Sequence, residues 1–183
     1  GNLVENVTIA FANNQGISIS GQDSIGRNIL SAFTDYLGTL SYKPISAYGT
    51  NITITQSTAY GFGNAGITTY TPVGTEVGWE GTLVVSHCHV HGGGRVGRDH
   101  ALLYTGDIHS SGVRWHHNIV HNGTEKCLRA DDLAANTTMD HNVVFHCGMS
   151  PDTDDRSTGS GLGIAPKGDH HIVFANTVFD SNT

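Results

Sequence analysis

Charge is scarce in this sequence. Asp, Glu, Lys and Arg make up only 14% of its 183 residues, and the formal net charge is −7. A nucleic-acid backbone is bound by clustered Lys and Arg, so no nucleic acid is expected as a partner. No apolar run approaches the roughly 20 residues that cross a bilayer, so no membrane insertion is expected, and no segment reads as a secretory leader. Helical spacing, with apolar residues three and four apart behind a cap, is almost missing, which argues against bundles and coiled coils. Cysteine is limited to Cys88, Cys127 and Cys147. Their spacing fits no metal finger, and their odd number fits no closed disulfide framework. The hairpin dipeptide Asn-Gly occurs once, at Asn122–Gly123, where an antiparallel sandwich would need such turns every 8–12 residues or so.

What the sequence does have is glycine, at 24 positions, and repetition. RWHHNIVHN (114–122) is followed by MDHNVVFHC (139–147), both with His-Asn at the centre. An apolar residue three before the Asn and another two after it recur at Trp115–Asn118–Val120, Met139–Asn142–Val144, Val173–Asn176–Val178 and Ile25–Asn28–Leu30. Val85–Cys88–Val90 fits with Cys in the Asn slot, and Leu3–Asn6–Thr8 and Thr53–Gln56–Thr58 are looser copies. A second motif alternates with the first: ISISG (17–21), ISAYG (45–49), ITTYT (67–71), LLYTG (102–106), LRADD (128–132) and IAPKG (164–168). Repeats of this size mark a solenoid, each coil holding at least two short strands.

Such strands bury their apolar side only by stacking on their equivalents one coil away. Ile17, Ile45, Ile67, Leu102, Leu128 and Ile164 are expected to form one inward column, and the anchor asparagines an internal hydrogen-bonded ladder. Asn6 falls at a ladder position in this frame. The sequence opens inside one repeat and ends inside another, which is the expectation for a piece of a longer chain. Flanking coils, or copies stacked end to end, would then continue it.

HHNIVHNG, DHNVVFHCG and VFANTVFDSN, together with GIAPKGDHHIVFANTVF, resemble the pectate-lyase-like superfamily of right-handed parallel β-helices. The resemblance covers essentially the whole chain. It implies an all-β solenoid of about seven coils with long loops, one domain over 1–183 and little or no helix. It also implies a secreted, carbohydrate-active protein. The activity to expect from it is that of a polysaccharide lyase or C5-epimerase on an acidic polysaccharide, with a glycoside hydrolase as a lesser candidate. The alternative is a non-catalytic structural or sugar-binding β-helix.

Alternation places Tyr48, Tyr70, Thr105, Asp131 and Lys167 in one outward column, with Arg129 beside Asp131. Aromatic rings and paired charges on a sheet face suit a linear sugar polymer. Lys167 and Arg129 are candidate bases, Tyr70 and His100 candidate acids, and Asp131 a group to hold the basic side chains in place or to bind a cation; Tyr48, Tyr70 and Arg98 are candidate substrate contacts. His87, His117 and His141 form a three-coil histidine stack open to three readings: a solvated ladder, a metal site, or an acidic-pH switch. His89, His91, His121 and His146 lie near by in sequence. Asp152, Asp154 and Asp155 cluster in a loop as oxygen ligands of the kind Ca2+ takes. Sequons begin at Asn6, Asn51, Asn122 and Asn136. Glycosylation is expected at Asn51, Asn122 and Asn136, whereas Asn6, in the ladder, should escape it.

Overall fold

The structure, a computed structural model, describes residues 1–36, 43–70, 82–96, 99–106, 112–148 and 161–181. Short apolar-alternating segments become strands, and no helix occurs among the described residues. The first turn carries β1 (Leu3–Ala10) and β2 (Ile17–Gln22), and the second β3 (Ile25–Ala32) and β4 (Ile45–Thr50). The third holds β5 (Ile52–Thr55), β6 (Thr58–Tyr60) and β7 (Ile67–Tyr70). The fourth holds β8 (Leu83–Ser86), β9 (His89–His91) and β10 (Ala101–Thr105). The fifth holds β11 (Val113–His116), β12 (Ile119–Gly123) and β13 (Lys126–Ala130). The sixth holds β14 (Thr138–Asp140), β15 (Val143–Cys147) and β16 (Ile164–Pro166). Two strands of a seventh turn follow, β17 (Ile172–Phe174) and β18 (Thr177–Phe179).

Each strand pairs in parallel with its equivalent one turn away, giving three faces. One face is β5, β8, β11, β14 and β17; a second is β6, β9, β12, β15 and β18. The long β1 and β3 run across both of these faces. The third face is β2, β4, β7, β10, β13 and β16. The antiparallel alternative is therefore excluded among the described strands. The core is a set of columns, one per face: Ile54, Val85, Trp115 and Met139; Ala59, Val90, Val120 and Val144; Ile45, Ile67, Leu103 and Leu128.

The last of these columns corrects the sequence frame by one residue. Leu103, not Leu102, stands in register with Ile67 and Leu128. Both leucines are fully buried, because the chain bends into this face and two successive side chains enter the core. Leu102 shares its level with Cys127, also buried. Period-2 alternation fails at such a bend and cannot choose between adjacent leucines.

The asparagine ladder exists in the later turns. Asn118 Nδ2 donates to Asn142 Oδ1 (3.0 Å), and Asn142 Nδ2 to Asn176 Oδ1 (2.9 Å). Each amide also donates to a carbonyl at the bend: Asn118 to Val85 (3.0 Å), Asn142 to Trp115 (2.9 Å), Asn176 to Met139 (2.8 Å). Each side-chain oxygen also accepts a backbone N–H of the preceding turn: Asn118 from Cys88, Asn142 from Asn118 and Asn176 from Asn142. Ser57 continues the ladder, accepting from the Ile29 N–H at 3.1 Å.

In the first three turns the ladder level falls one residue after the expected anchors, at Val7, Ile29 and Ser57. Asn6, Asn28 and Gln56 align with His87, His117, His141 and Ala175, one residue before the ladder. All seven sit at a corner with left-handed φ between 50° and 59°. Asn, Asp and His tolerate that conformation best, and other L-residues lose about 1–2 kcal/mol there. Asn6 is thus an exposed corner residue, bonded to Asn28 at 2.7 Å, and not an internal rung.

Cys127 and Cys147 form a disulfide, and Cys88 is free and buried. The pairing did not follow from the spacing of the three cysteines.

Asn142→Ala should cost at least about 2 kcal/mol by denaturant unfolding, since it strands the buried Asn118 N–H and amide at about 1–3 kcal/mol each. Asn28→Gly, which keeps the left-handed corner, should change stability by no more than about 0.5–1 kcal/mol.

Candidate functional site

The third face carries the polar strip expected from the alternation, with one change of membership. Tyr48 is in register with Tyr70, and Tyr48 is 46% exposed. Thr105 is buried, and its hydroxyl donates to the Thr69 carbonyl at 2.8 Å. The outward residue of β10 is Tyr104, level with Thr68 and Arg129. Its ring leans over Gly106, where a Cβ would lie 2.6 Å from the Tyr104 hydroxyl. It packs edge-on against Tyr70, with centroids 6.3 Å apart. The sequence frame missed Tyr104 because of the same one-residue slip that misplaced Leu103.

Arg129, Asp131 and Lys167 come together. Asp131 Oδ1 accepts from Arg129 Nη2 (2.6 Å) and Lys167 Nζ (3.2 Å), and Asp131 Oδ2 from the Tyr104 hydroxyl (3.0 Å). The Asp132 N–H also donates to Asp131 Oδ1, at 2.9 Å. Arg129 Nη1 bonds Asp99 at 2.5 Å, and Lys167 also pairs with Asp132. Arg129 lies beside the Tyr104 ring, 6.0 Å from its centroid.

Burial works to raise the Asp131 pKa. The Asp132 N–H, the Tyr104 hydroxyl and the two cations outweigh it and hold the carboxyl below its usual range. Lys167 is held above its usual value by its bonds to Asp132 and Asp131. Burial opposes the charge on Arg129, yet the Asp99 bond and the Asp131 charge raise its pKa overall. Burial first, then Asp131, push the Tyr104 phenol upward. Their carboxylate partners thus favour the charged forms of both Lys167 and Arg129.

His100 is not on the strip. It is buried at the foot of β10, its N–H donating to Glu125 Oε2 (3.1 Å) and its Nε2 3.3 Å from the Thr124 hydroxyl. Gly94 arches over it so closely that a Cβ there would sit 1.9 Å from His100 Nε2. Arg98, Asp152, Asp154 and Asp155 lie outside the described residues.

His87, His117 and His141 form the expected stack, face to face at 5.2 and 5.0 Å and exposed. Asp140 binds the last of them, its Oδ2 lying 2.9 Å from His141 Nδ1. Ring nitrogens in such a stack point along parallel planes, and their corner φ already favours histidine.

A second ladder went unread in the sequence. Phe11, Phe33, Tyr60, His91, His121, Phe145 and Phe179 make contact in succession along the second face, with centroids 4.4–5.3 Å apart. Phe33 reaches Tyr60 across Gly61, where a Cβ would lie 2.8 Å from the Phe33 ring. His89 packs against this ladder, 4.3 Å from His91 and 5.0 Å from His121. Burial lowers the pKa of all three histidines, that of His91 to about 4 with help from its two neighbours. Its sequence signal was an aromatic or histidine near the end of each second-face strand. The sequon residues Asn51, Asn122 and Asn136 are exposed, each at a left-handed corner.

In agreement with the parallel pairing on every face, the sequence matches one known family over residues 1–183, described as a right-handed β-helix region. The chain belongs to the right-handed β-helix family. No curated protein and no solved structure shows a significant match.

In this β-helix, Asp131→Asn should destabilise by roughly 2 kcal/mol at pH 7, because it removes the charge that the buried Arg129 guanidinium faces. The Asp131 pKa is depressed, so its stabilisation is complete above the unfolded carboxyl value of about 4 and fades as pH falls. Thermal unfolding of both proteins should therefore show a gap at pH 7 that narrows below about pH 4.

Proposed function

We propose that this β-helix binds a linear, largely neutral polysaccharide along the third face. The observation that carries this is the run of Tyr48, Tyr70 and Tyr104 on successive turns, opening onto the Arg129–Asp131–Lys167 network. Tyrosine rings offer sugar faces a stacking surface, and the fixed carboxylates and hydroxyl offer directional partners for sugar hydroxyls. Charge selects the polymer. Arg129 and Lys167 are each paired with two carboxylates of the chain itself, and the formal net charge is −7. A polyuronate would have to displace those carboxylates against a repelling field.

A second reading is favoured by one observation. Lys167 is 58% exposed while it pairs with Asp131, so its ammonium group is accessible to a substrate on this face. In that reading the strip performs β-elimination or C5 epimerisation on an acidic polysaccharide. Arg129 would neutralise the carboxylate, while Lys167 and Tyr104 would move the protons. Secretion is supported by the Cys127–Cys147 disulfide, which suits an oxidising compartment, and by the exposed sequons.

Calorimetric titration with neutral glucans and mannans and with polyuronates separates the readings. Binding of a neutral polymer, weakened about fivefold to tenfold in Tyr48→Ala, is the expected result, as loss of one aromatic contact is worth about 1–1.5 kcal/mol. Polyuronate that yields ultraviolet-absorbing unsaturated ends, with the product lost in Lys167→Ala, would establish elimination instead.

A further inference from the structure

We propose that His89, His91 and His121 form a binding site for one divalent first-row transition ion of the zinc class. Each offers one ring nitrogen, and the three nitrogens lie within 4.8 Å of one another, with His89 Nε2 and His121 Nε2 2.8 Å apart. Three imidazoles holding zinc at 2.0–2.1 Å in tetrahedral geometry would place their nitrogens about 3.3 Å apart. Closing on one ion requires His91 and His121 to turn out of their parallel stack, so that the in-plane lone pairs of all three rings converge.

The backbone builds the cluster from adjacent turns. His89 and His91 alternate along β9, flanking the buried Val90, so both project outward. His121 is the registered neighbour of His91 on β12. The rings are not all parallel: His89 is tilted 27° to His91 and 32° to His121. His91 and His121 are themselves stacked, 6° from parallel, so the cluster differs from the stack of His87, His117 and His141, whose rings lie 12° and 5° from parallel, by the tilted third ring of His89 alongside the pair.

The two sets differ again in why they hold histidine. His87, His117 and His141 occupy left-handed corners, a conformation that selects Asn, Asp or His on backbone grounds alone. His89, His91 and His121 occupy extended strand positions, where aromatic and β-branched residues fit better. Their column otherwise holds Tyr60 and Phe145, and Thr58 and Ile119 flank His89. Three imidazoles at once in such places point to chemistry that imidazole supplies.

The surroundings suit a bound ion. All three residues are half-buried, between the Tyr60 ring stacked on His91 (5.3 Å) and the Phe145 ring stacked on His121 (4.4 Å). His146, next to Phe145, is engaged by Asp180 and Asn122. The donor set is nitrogen only. It therefore suits zinc, copper or nickel and not calcium or magnesium, which take oxygen. Three protein ligands leave a coordination position for water or a small anion. The cluster lies on a different face from the tyrosine strip, so the inference stands whether or not that strip binds sugar.

The test is titration of metal-free protein with Zn2+ by calorimetry, and with Co2+ followed by its visible absorption. One equivalent of Zn2+ and the band pattern of nitrogen-ligated Co2+ are expected. His91→Phe keeps a ring in a column that already holds Tyr60 and Phe145, so the fold should survive; circular dichroism and thermal unfolding check that. His91→Phe and His89→Asn should each raise the Kd at least about 100-fold, the upper end of the effect of losing one outer-shell partner. His117→Asn, suited to its left-handed corner, should leave the Kd unchanged. Absence of one-equivalent binding, unchanged affinity in folded His91→Phe, or loss of binding in His117→Asn would each overturn the assignment.

Discussion

Strands three to eight residues long cannot hold together alone, so each turn must lie in parallel register on the one before it. That single demand organises the molecule. Residues far apart in the chain become neighbours at the spacing between strands, and equivalent positions form columns. Apolar columns fill the interior. The polar column inside, the asparagine ladder from Asn118 to Asn176, bonds each amide to the adjacent turn. Outside, a column of rings stacks and a column of opposite charges pairs, which is how both the Tyr60–Phe179 ladder and the Arg129–Asp131–Lys167 network arise.

Corners add a second demand. The chain turns by placing a residue in the left-handed region, and one such corner is filled successively by Asn6, Asn28, Gln56, His87, His117, His141 and Ala175. The next column inward selects asparagine for an unrelated reason, its two-sided hydrogen bonding. Two adjacent columns thus favour the same residue. A frame keyed to asparagine locks onto the ladder at Asn118, Asn142 and Asn176 and slips to the corner at Asn6 and Asn28. Asn118 was legible as scaffold and His117 as one of a stack, because there the two columns hold different residues.

Much of the rest was legible wherever alternation is clean. The columns through Ile45, Ile67, Leu128 and Ile164, the tyrosine register and the meeting of Arg129, Asp131 and Lys167 all follow from it. What escaped was decided at bends. Two successive leucines enter the core at 102 and 103, which hid Tyr104 and with it the hydroxyl donor to Asp131. His100 precedes its strand directly, yet the glycine turn at Gly94 covers it. The ring ladder escaped because it begins on corner residues, Phe11 and Phe33, and passes to strand residues from Tyr60 onward. No single repeat frame contains both. The disulfide escaped because its cysteines occupy different faces.

That disulfide has a mechanical consequence. A solenoid is held by nearest-neighbour contacts, so it peels from its ends one coil at a time. Cys127 belongs to β13 of the fifth turn and Cys147 to β15 of the sixth, so the bond rivets two successive layers. Any unwinding that passes from the sixth turn into the fifth meets this covalent brake. Under load, the residues between Cys127 and Cys147 can be drawn out only after the bond is reduced.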